Sequence, residues 1–210
     1  GDIVGKPGRQ ILKERLPQFV KQNGINFTIA NGENSAAGAG ITRNIAGEIH
    51  RAGVDVITLG DHAWDQKGFS NEIDEMPAVC RPANLPPLSP GRDRVIIEKN
   101  GFRLAVVTLL GQVFMKLAAT LPIQRIDEMM PELKAEADAI VVEVHAEATS
   151  EKVAMGFYLD GQVSLVVGTH THIPTADAAI LPMGTAYLTD AGMTGPYHSV
   201  LGREIRPILE

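Results

Sequence analysis

The chain has 210 residues, which suggests one α/β domain when domains run at roughly 150 residues each. Nineteen Lys and Arg face 25 Asp and Glu, and the net charge of −6 argues against broad contact with a nucleic-acid backbone or an anionic membrane. Hydrophobic residues make up 44%, too many for a disordered chain, and no apolar run approaches the ~20 residues of a membrane span. The lone cysteine, Cys80, excludes an intramolecular disulfide and reads as a small buried hydrophobe. With no targeting segment at the start, the expected location is cytoplasmic. Gly1-Asp2 reads as the end of a strand whose earlier residues lie outside this chain.

In chain order, short apolar runs alternate with helical periods. Ile11, Leu12, Leu16, Phe19 and Val20 share one helical face after Pro7, which suits a first turn, and Pro17 is expected to bend that helix. Ile25–Ala30 predicts a strand. Thr42 predicts an N-cap for a helix that ends at Gly53 and turns Ile45, Ala46 and Ile49 inward. Val54–Leu59 predicts the next strand, and the Pro- and Gly-rich stretch Arg81–Arg92 a long irregular loop. Leu104–Leu110, Ala139–Val144 and Val163–Val167 are nearly continuous in apolar character, as strands covered on both faces are. Ile126, Met129, Met130 and Leu133 predict a short helix against the core. Thr149 or Ser150 is expected to cap another helix, which carries Val153, Ala154, Phe157 and Tyr158. The whole reads as one layered α/β domain over residues 1–210.

In open α/β sheets, ligands gather at the carboxyl ends of strands. There the sequence sets Asp2, then Glu33 and Asn34, then Asp61 and His62, then His145, then His170 and His172. Each alone has a bland reading as a turn residue, a cap or a satisfied polar group. Together, five segments deliver acids, an amide and imidazoles to one edge, a costly arrangement unless cations compensate it. In Gly168-Thr169-His170-Thr171-His172, an extended chain sends both imidazoles to one side, about 7 Å apart. Mixed nitrogen and oxygen donors without thiolate favour Mn, Fe, Zn or Co over Ca. Two such ions ~3.5–4 Å apart form a clamp for in-line displacement at phosphorus. No helical H-E-x-x-H points to a metallopeptidase, and Gly5, Gly8 and Gly38-Ala39-Gly40 do not form the G-x-G-x-x-G of a dinucleotide binder.

The segments GDIVGKPGR, NGENSAAGAGIT, ITLGDHAWD, RPANLPP, LLGQVFM, HAEATSEK, GTHTHIPTAD and GTAYLTDAGMTGP resemble the YmdB-type branch of the calcineurin-like metallophosphoesterases. The likeness runs in order from Gly1 to about Gly202. It implies a layered α-β-β-α sandwich whose terminal strands are missing from this chain, truncated at both ends, and a dimetal centre of Fe or Mn ahead of Zn or Mg. By that resemblance Asp2, Glu33, Asn34 and His172 hold one ion, while Glu33, Asp61, His145 and His170 hold the other. Glu33 bridges, and His62 meets the substrate as general acid. Thr149, Ser150 and Lys152 would stand behind the ligands or on the phosphate side, and Trp64 would pack in the core or at the rim.

The implied reaction is hydrolysis of 2′,3′-cyclic and also 3′,5′-cyclic nucleotides by a metal-bridging hydroxide. The partner is then a small-molecule phosphodiester, with no broad nucleic-acid binding, no membrane, and room for a homo-oligomer. One departure stands out: the family carries Asn in a G-N-H motif where this chain has Asp61. The added negative charge weakens attraction for an anionic phosphate. An alternative is therefore a catalytically impaired metal- or nucleotide-binding regulatory protein.

Overall fold

The computed structural model describes residues 1–210. In chain order the elements are β1 (Asp2–Ile3), α1 (Gly5–Asn23), β2 (Ile29–Asn31), α2 (Arg43–Arg51), β3 (Val56–Thr58) and β4 (Val79–Cys80). Then follow β5 (Val95–Lys99), β6 (Phe102–Leu110), α3 (Pro122–Glu136), β7 (Ala139–His145) and α4 (Thr149–Tyr158). The chain continues through β8 (Leu165–Thr169), β9 (Ala179–Ile180), β10 (Ala186–Leu188), β11 (Met193–Thr194) and α5 (Ile205–Leu209).

The strands form two sheets. One has the order β11-β1-β2-β3-β4 and is parallel throughout. The other runs β5-β6-β7-β8-β10-β9, parallel in its centre from β6 to β10 and antiparallel at both edges.

Three apolar clusters define the layers. Val56 and Cys80 of the first sheet meet Val95, Leu104, Val106 and Val141 of the second, which seals the sheets face to face. Ile41, Ile49, Ile57, Leu59 and Phe69 pack between the first sheet and α2, with Leu12 and Leu16 of α1 alongside. Ile126, Met129, Met130 and Leu133 of α3, with Met155 of α4, cover the outer face of β6 and β7 through Ala105, Val107, Val142 and Val144. A side chain of this kind contributes about 1.5–3 kcal/mol when fully buried, so these layers, and not the short strands themselves, hold the architecture. The result is the expected α-β-β-α sandwich.

Several local expectations hold. Thr42 caps α2, its Oγ1 accepting from the Ile45 N–H at 3.3 Å, and the α3 residues named above all face inward. Cys80 is fully buried, and burial pushes its thiol pKa up, out of reactive range. Trp64 packs against the core beneath the first sheet.

Others are corrected. Strand β2 starts only at Ile29, because the Thr28 N–H is taken by the Asp55 carboxylate at 2.8 Å. Helix α1 runs through Pro17 to a left-handed Gly24 at φ 61°, yet only Leu12 and Leu16 of its expected face reach the core; Ile11 and Phe19 are exposed. Neither Thr149 nor Ser150 caps α4: Ala148 is the N-cap and offers no side chain. Glu151 in its first turn ties the helix to the loop after β6, its carboxylate accepting from the Gln112 and Val113 N–H groups at 2.9 and 3.2 Å. The same helix buries Lys152, Met155 and Gly156 and leaves Val153, Ala154, Phe157 and Tyr158 in solvent. A Cβ at Gly156 would lie 2.5 Å from the Tyr187 ring, so close helix-to-strand approach selects the inward face.

Candidate metal centre

Because β1, β2, β3, β7 and β8 run parallel within their sheets, their carboxyl ends come out along one edge of the sandwich. Asp2 lies in β1. Glu33 and Asn34 follow β2, and Asp61 and His62 follow β3. His145 is the last residue of β7, and His170 and His172 follow β8. The structure brings all eight side chains to this edge.

They fall into two linked groups. In the first, His145 Nε2 lies 3.0 Å from Glu33 Oε1, 3.2 Å from Asp61 Oδ1 and 3.1 Å from His170 Nδ1. One donor atom from each of Glu33, Asp61, His145 and His170 falls within 4.8 Å of the others. In the second, His172 Nε2 lies 3.2 Å from Asp2 Oδ2, and the Asn34 amide nitrogen is 3.2 Å from His172 and 3.5 Å from Asp2. Asn34 also donates to Glu33 Oε1 at 3.2 Å, so Glu33 stands between the groups. Gly60 makes the approach feasible: a Cβ there would come within 2.4 Å of both His145 and Glu33.

The electrostatics match a site built around positive charge. Burial opposes ionisation of Asp61, but hydrogen bonds and charge from His145 and His170 overcome it and hold its pKa well below the usual carboxylate range. Asp2, fully buried, is lowered in the same way by His172 and His145. Burial would lower the pKa of His145, yet Glu33, Asp61 and Asp2 raise it well above the usual value; against the same effect of burial, Asp2 raises that of His172. Despite these neighbours, Asp2 Oδ1 is buried without any hydrogen-bond partner. A buried carboxylate oxygen left without a partner, on a residue beside a cluster of acids and imidazoles, is the donor a cation would use.

Each of the three imidazoles is fixed from behind. His145 Nδ1 pairs with Thr169 Oγ1 at 2.9 Å, and that hydroxyl donates to Glu143 Oε1 at 2.8 Å. Glu143 also accepts from the Asn31 amide at 2.7 Å and the Thr58 hydroxyl at 2.5 Å, tying the two sheets together beneath the site. His170 Nε2 pairs with Glu147 at 3.2 Å, and His172 Nδ1 donates to the Leu201 carbonyl at 3.1 Å. A carboxylate or carbonyl on the far nitrogen fixes tautomer and ring orientation, as it does for metal-binding histidines. The residues present therefore fit divalent cations.

His62 stands apart from the donor cluster. Its backbone N–H donates to Glu33 Oε2 at 2.9 Å, and its Nδ1 pairs with Asp65 at 2.6 Å, which leaves Nε2 for the cavity. That cavity, of about 920 Å³, is walled by Glu33, Asn34, His62, His170 and His172, with Lys6 and Arg203 as cationic members.

Of the two places expected for Lys152, the phosphate side is excluded: it is fully buried in an ion pair with Asp190 at 2.6 Å, behind the loop of His170 and His172. Thr149 and Ser150 contribute no side-chain hydrogen bond to the site. Sequence reasoning missed Glu143, Glu147 and Asp190. Glu143 carried a usable signal, as the lone charge within the apolar run Ala139–Val144, two residues before His145.

The comparisons with known proteins agree with the geometry. A 2′,3′-cyclic-nucleotide 2′-phosphodiesterase of Bacillus subtilis is 46% identical over 210 residues, which cover 100% of this chain and 79% of that protein. A crystal structure of a hypothetical protein from Thermus thermophilus superposes with a TM-score of 0.93 at 44% identity, over 100% of this chain and 81% of that one. At 16% identity, a Staphylococcus aureus structure titled as a 5′-nucleotidase shares the fold, with a TM-score of 0.65 over 88% of this chain and 43% of its own. The model of the YmdB-like protein family matches residues 1–210, and the chain belongs to that family.

Proposed function

We propose that the chain is a metal-dependent phosphoric diester hydrolase that opens 2′,3′-cyclic nucleotides to 3′-nucleotides, with 3′,5′-cyclic nucleotides as further substrates. The observation that carries this reading is the convergence of Glu33, Asp61, His145 and His170 on one point, with Asp2, Asn34 and His172 grouped beside it and each of the three imidazoles held from behind. The substrate class comes from the relative that shares 46% of its residues. Residues 1–210 act as one metallophosphoesterase domain.

Asp2, Glu33, Asn34 and His172 would hold one ion and Glu33, Asp61, His145 and His170 a second, with Fe or Mn ahead of Zn or Mg as the family resemblance implies. Bound there, the cations supply an acidified water at neutral pH and neutralise phosphate oxygens. The chain's own groups do the rest. Glu33 ties the two halves, so that attack and departure are held in line. The Asp65 carboxylate orients His62 so that Nε2 delivers a proton to the departing 2′ oxygen, as its bond to phosphorus breaks and that to water forms. The cavity holds the nucleoside, with Lys6 and Arg203 as cationic groups for the anionic substrate. No helix is long and apolar enough to cross a membrane, and we assign the reaction to the cytoplasm, on a small-molecule substrate, by a monomer or homo-oligomer.

The test is hydrolysis of 2′,3′-cyclic AMP by the purified chain loaded with Mn²⁺ or Fe²⁺, with products resolved by chromatography. The expected product is the 3′-nucleotide; release of the 2′-nucleotide would reverse the assignment of the leaving oxygen. A second reading, an impaired regulatory protein, is favoured by Asp61. Its carboxylate faces His145 and His170, an anionic donor where the family has a neutral one. Asp61→Asn should change turnover by more than the assay error. Metal binding without turnover in both forms would favour the regulatory reading.

A further inference from the structure

The backbone that carries His170 and His172 is unusual. His170 sits at φ 97° and His172 at φ 65°, in the left-handed region that residues with a Cβ seldom adopt. Neither lies within a strand ladder, so something beyond the sheet must hold them. The Asp190 carboxylate is placed to do so. Its Oδ2 accepts from the Thr171 N–H at 3.3 Å and from the Thr171 hydroxyl at 2.8 Å, gripping the one residue between the two histidines.

The same carboxylate reaches the opposite side of the site. Between β10 in one sheet and β11 in the other, the chain crosses over, and Asp190 sits on that crossing. Its Oδ1 accepts from the Gly192 N–H at 2.7 Å, and the Gly192 carbonyl accepts from the Asp2 N–H at 3.1 Å. Space around this turn is tight. A Cβ at Gly192 would lie 2.7 Å from Pro174, and one at Gly168 would overlap the Thr189 carbonyl at 1.8 Å. Lys152 pairs with Oδ2 at 2.6 Å, and both side chains are 1% exposed. A buried ion pair is a weak source of stability, since apolar residues of similar volume often replace it without loss. A pair retained here is better explained by the geometry it imposes.

We propose that Asp190, with Lys152 as its counter-charge, is a positioning residue for the metal centre. One carboxylate sets the strained loop of His170 and His172 and also the register of Asp2, so that both ion shells depend on it. This rests on the reading of those residues as ligands, and its test is metal affinity, not turnover.

The metal-stripped chain is titrated with Mn²⁺ by calorimetry, with bound metal counted by elemental analysis. Two variants are compared with wild type. Thr171→Val removes the hydroxyl's bond to Asp190, and with it two longer contacts to the Ile173 backbone at 3.3 Å, at a partly exposed site. Lys152→Met/Asp190→Asn removes both charges without stranding either. Both should weaken Mn²⁺ binding by about 10- to 100-fold, the range typical for residues that orient ligands, while circular dichroism remains that of the folded chain. Ile126→Val, a core change in α3, serves as the control: it should lower the melting temperature and leave Mn²⁺ affinity at the wild-type value. If the double variant fails to fold, Thr171→Val decides alone. Wild-type affinity and stoichiometry in the folded variants would overturn the positioning role. A wild-type chain that takes up no Mn²⁺ would instead overturn the ligand assignment and this inference with it.

Discussion

The two halves of the donor cluster are built differently. In the half formed by Glu33, Asp61, His145 and His170, His145 ends the seven-residue β7 and Asp61 follows β3, both on ordinary backbone. Only His170 there has a positive φ, and behind His145 lies a closed relay of Thr169, Glu143, Asn31 and Thr58. The half containing Asp2, Asn34 and His172 has a two-residue strand, a left-handed histidine and a carboxylate oxygen with no partner. The first half is complete as it stands, whereas the second has donor capacity left over. Sheet geometry therefore preorganises Asp61 and His145, while the loop gripped from outside the sheet supplies one histidine to each half.

The change that should break this comparison most completely is Glu33→Ala, since Glu33 belongs to both halves. Elemental analysis of the purified variant is expected to show loss of both ions and of hydrolysis. Two retained equivalents would mean that the halves bind independently of Glu33. His62→Ala comes next. It should keep the metal and lower turnover by about 10²–10⁴-fold, the range for a lost general acid, because its ring faces the cavity and not the donors. Loss of metal in that variant would make His62 a ligand.

A narrower cut is Glu143→Gln, which acts on His145 through Thr169 and reaches Glu33 only through Asn31. Glu143 accepts three hydrogen bonds from Asn31, Thr58 and Thr169; the amide turns one acceptor into a donor and faces a donor with it. Mn²⁺ affinity should fall by about 10- to 100-fold in calorimetry, with the larger loss in one of two equivalents. An equal loss in both would show that the halves are more strongly coupled than their construction suggests.

Much of this was legible in the sequence, for physical reasons. Continuous apolar runs such as Leu104–Leu110 fixed the buried centre of the second sheet, and parallel strands then had to deliver their terminal polar residues to one edge. Helix faces were harder to read. On α4 the apolar residues Phe157 and Tyr158 lie outward while Lys152 lies inward, because Asp190 neutralises it; periodicity weighs hydrophobicity and cannot see a partner 38 positions away. The supporting groups were hidden for the same reason. Glu143, Glu147 and Asp190 matter through contacts made across the chain, and only Glu143 stood out locally, as a charge among Val and Ile.

The smallest expected effect is one of pH on the metal-free protein, and its sign follows from the shifted groups. His145 and His172 hold their protons above the ordinary 6.5 because buried carboxylates surround them. A group raised on folding contributes stability that is complete below 6.5 and is lost as pH climbs through the folded-state value. Asp2 and Asp61 are lowered, so their contribution is complete above 3.8 and is lost only as pH falls through their depressed values. Glu143, raised by burial, loses stability as pH rises above 4.5, the same direction as the imidazoles. The melting temperature in EDTA should therefore decline as pH passes upward from 6.5. Metal binding requires neutral imidazole, so Mn²⁺ should bind more tightly over that same interval and widen the gap between loaded and stripped protein. Parallel melts in EDTA and Mn²⁺ from about pH 5.5 to 8.5 measure both trends. A stripped protein that gains stability with pH would mean that the imidazoles give up their protons on folding, and that the acids around them do not act as the counter-charges their distances imply.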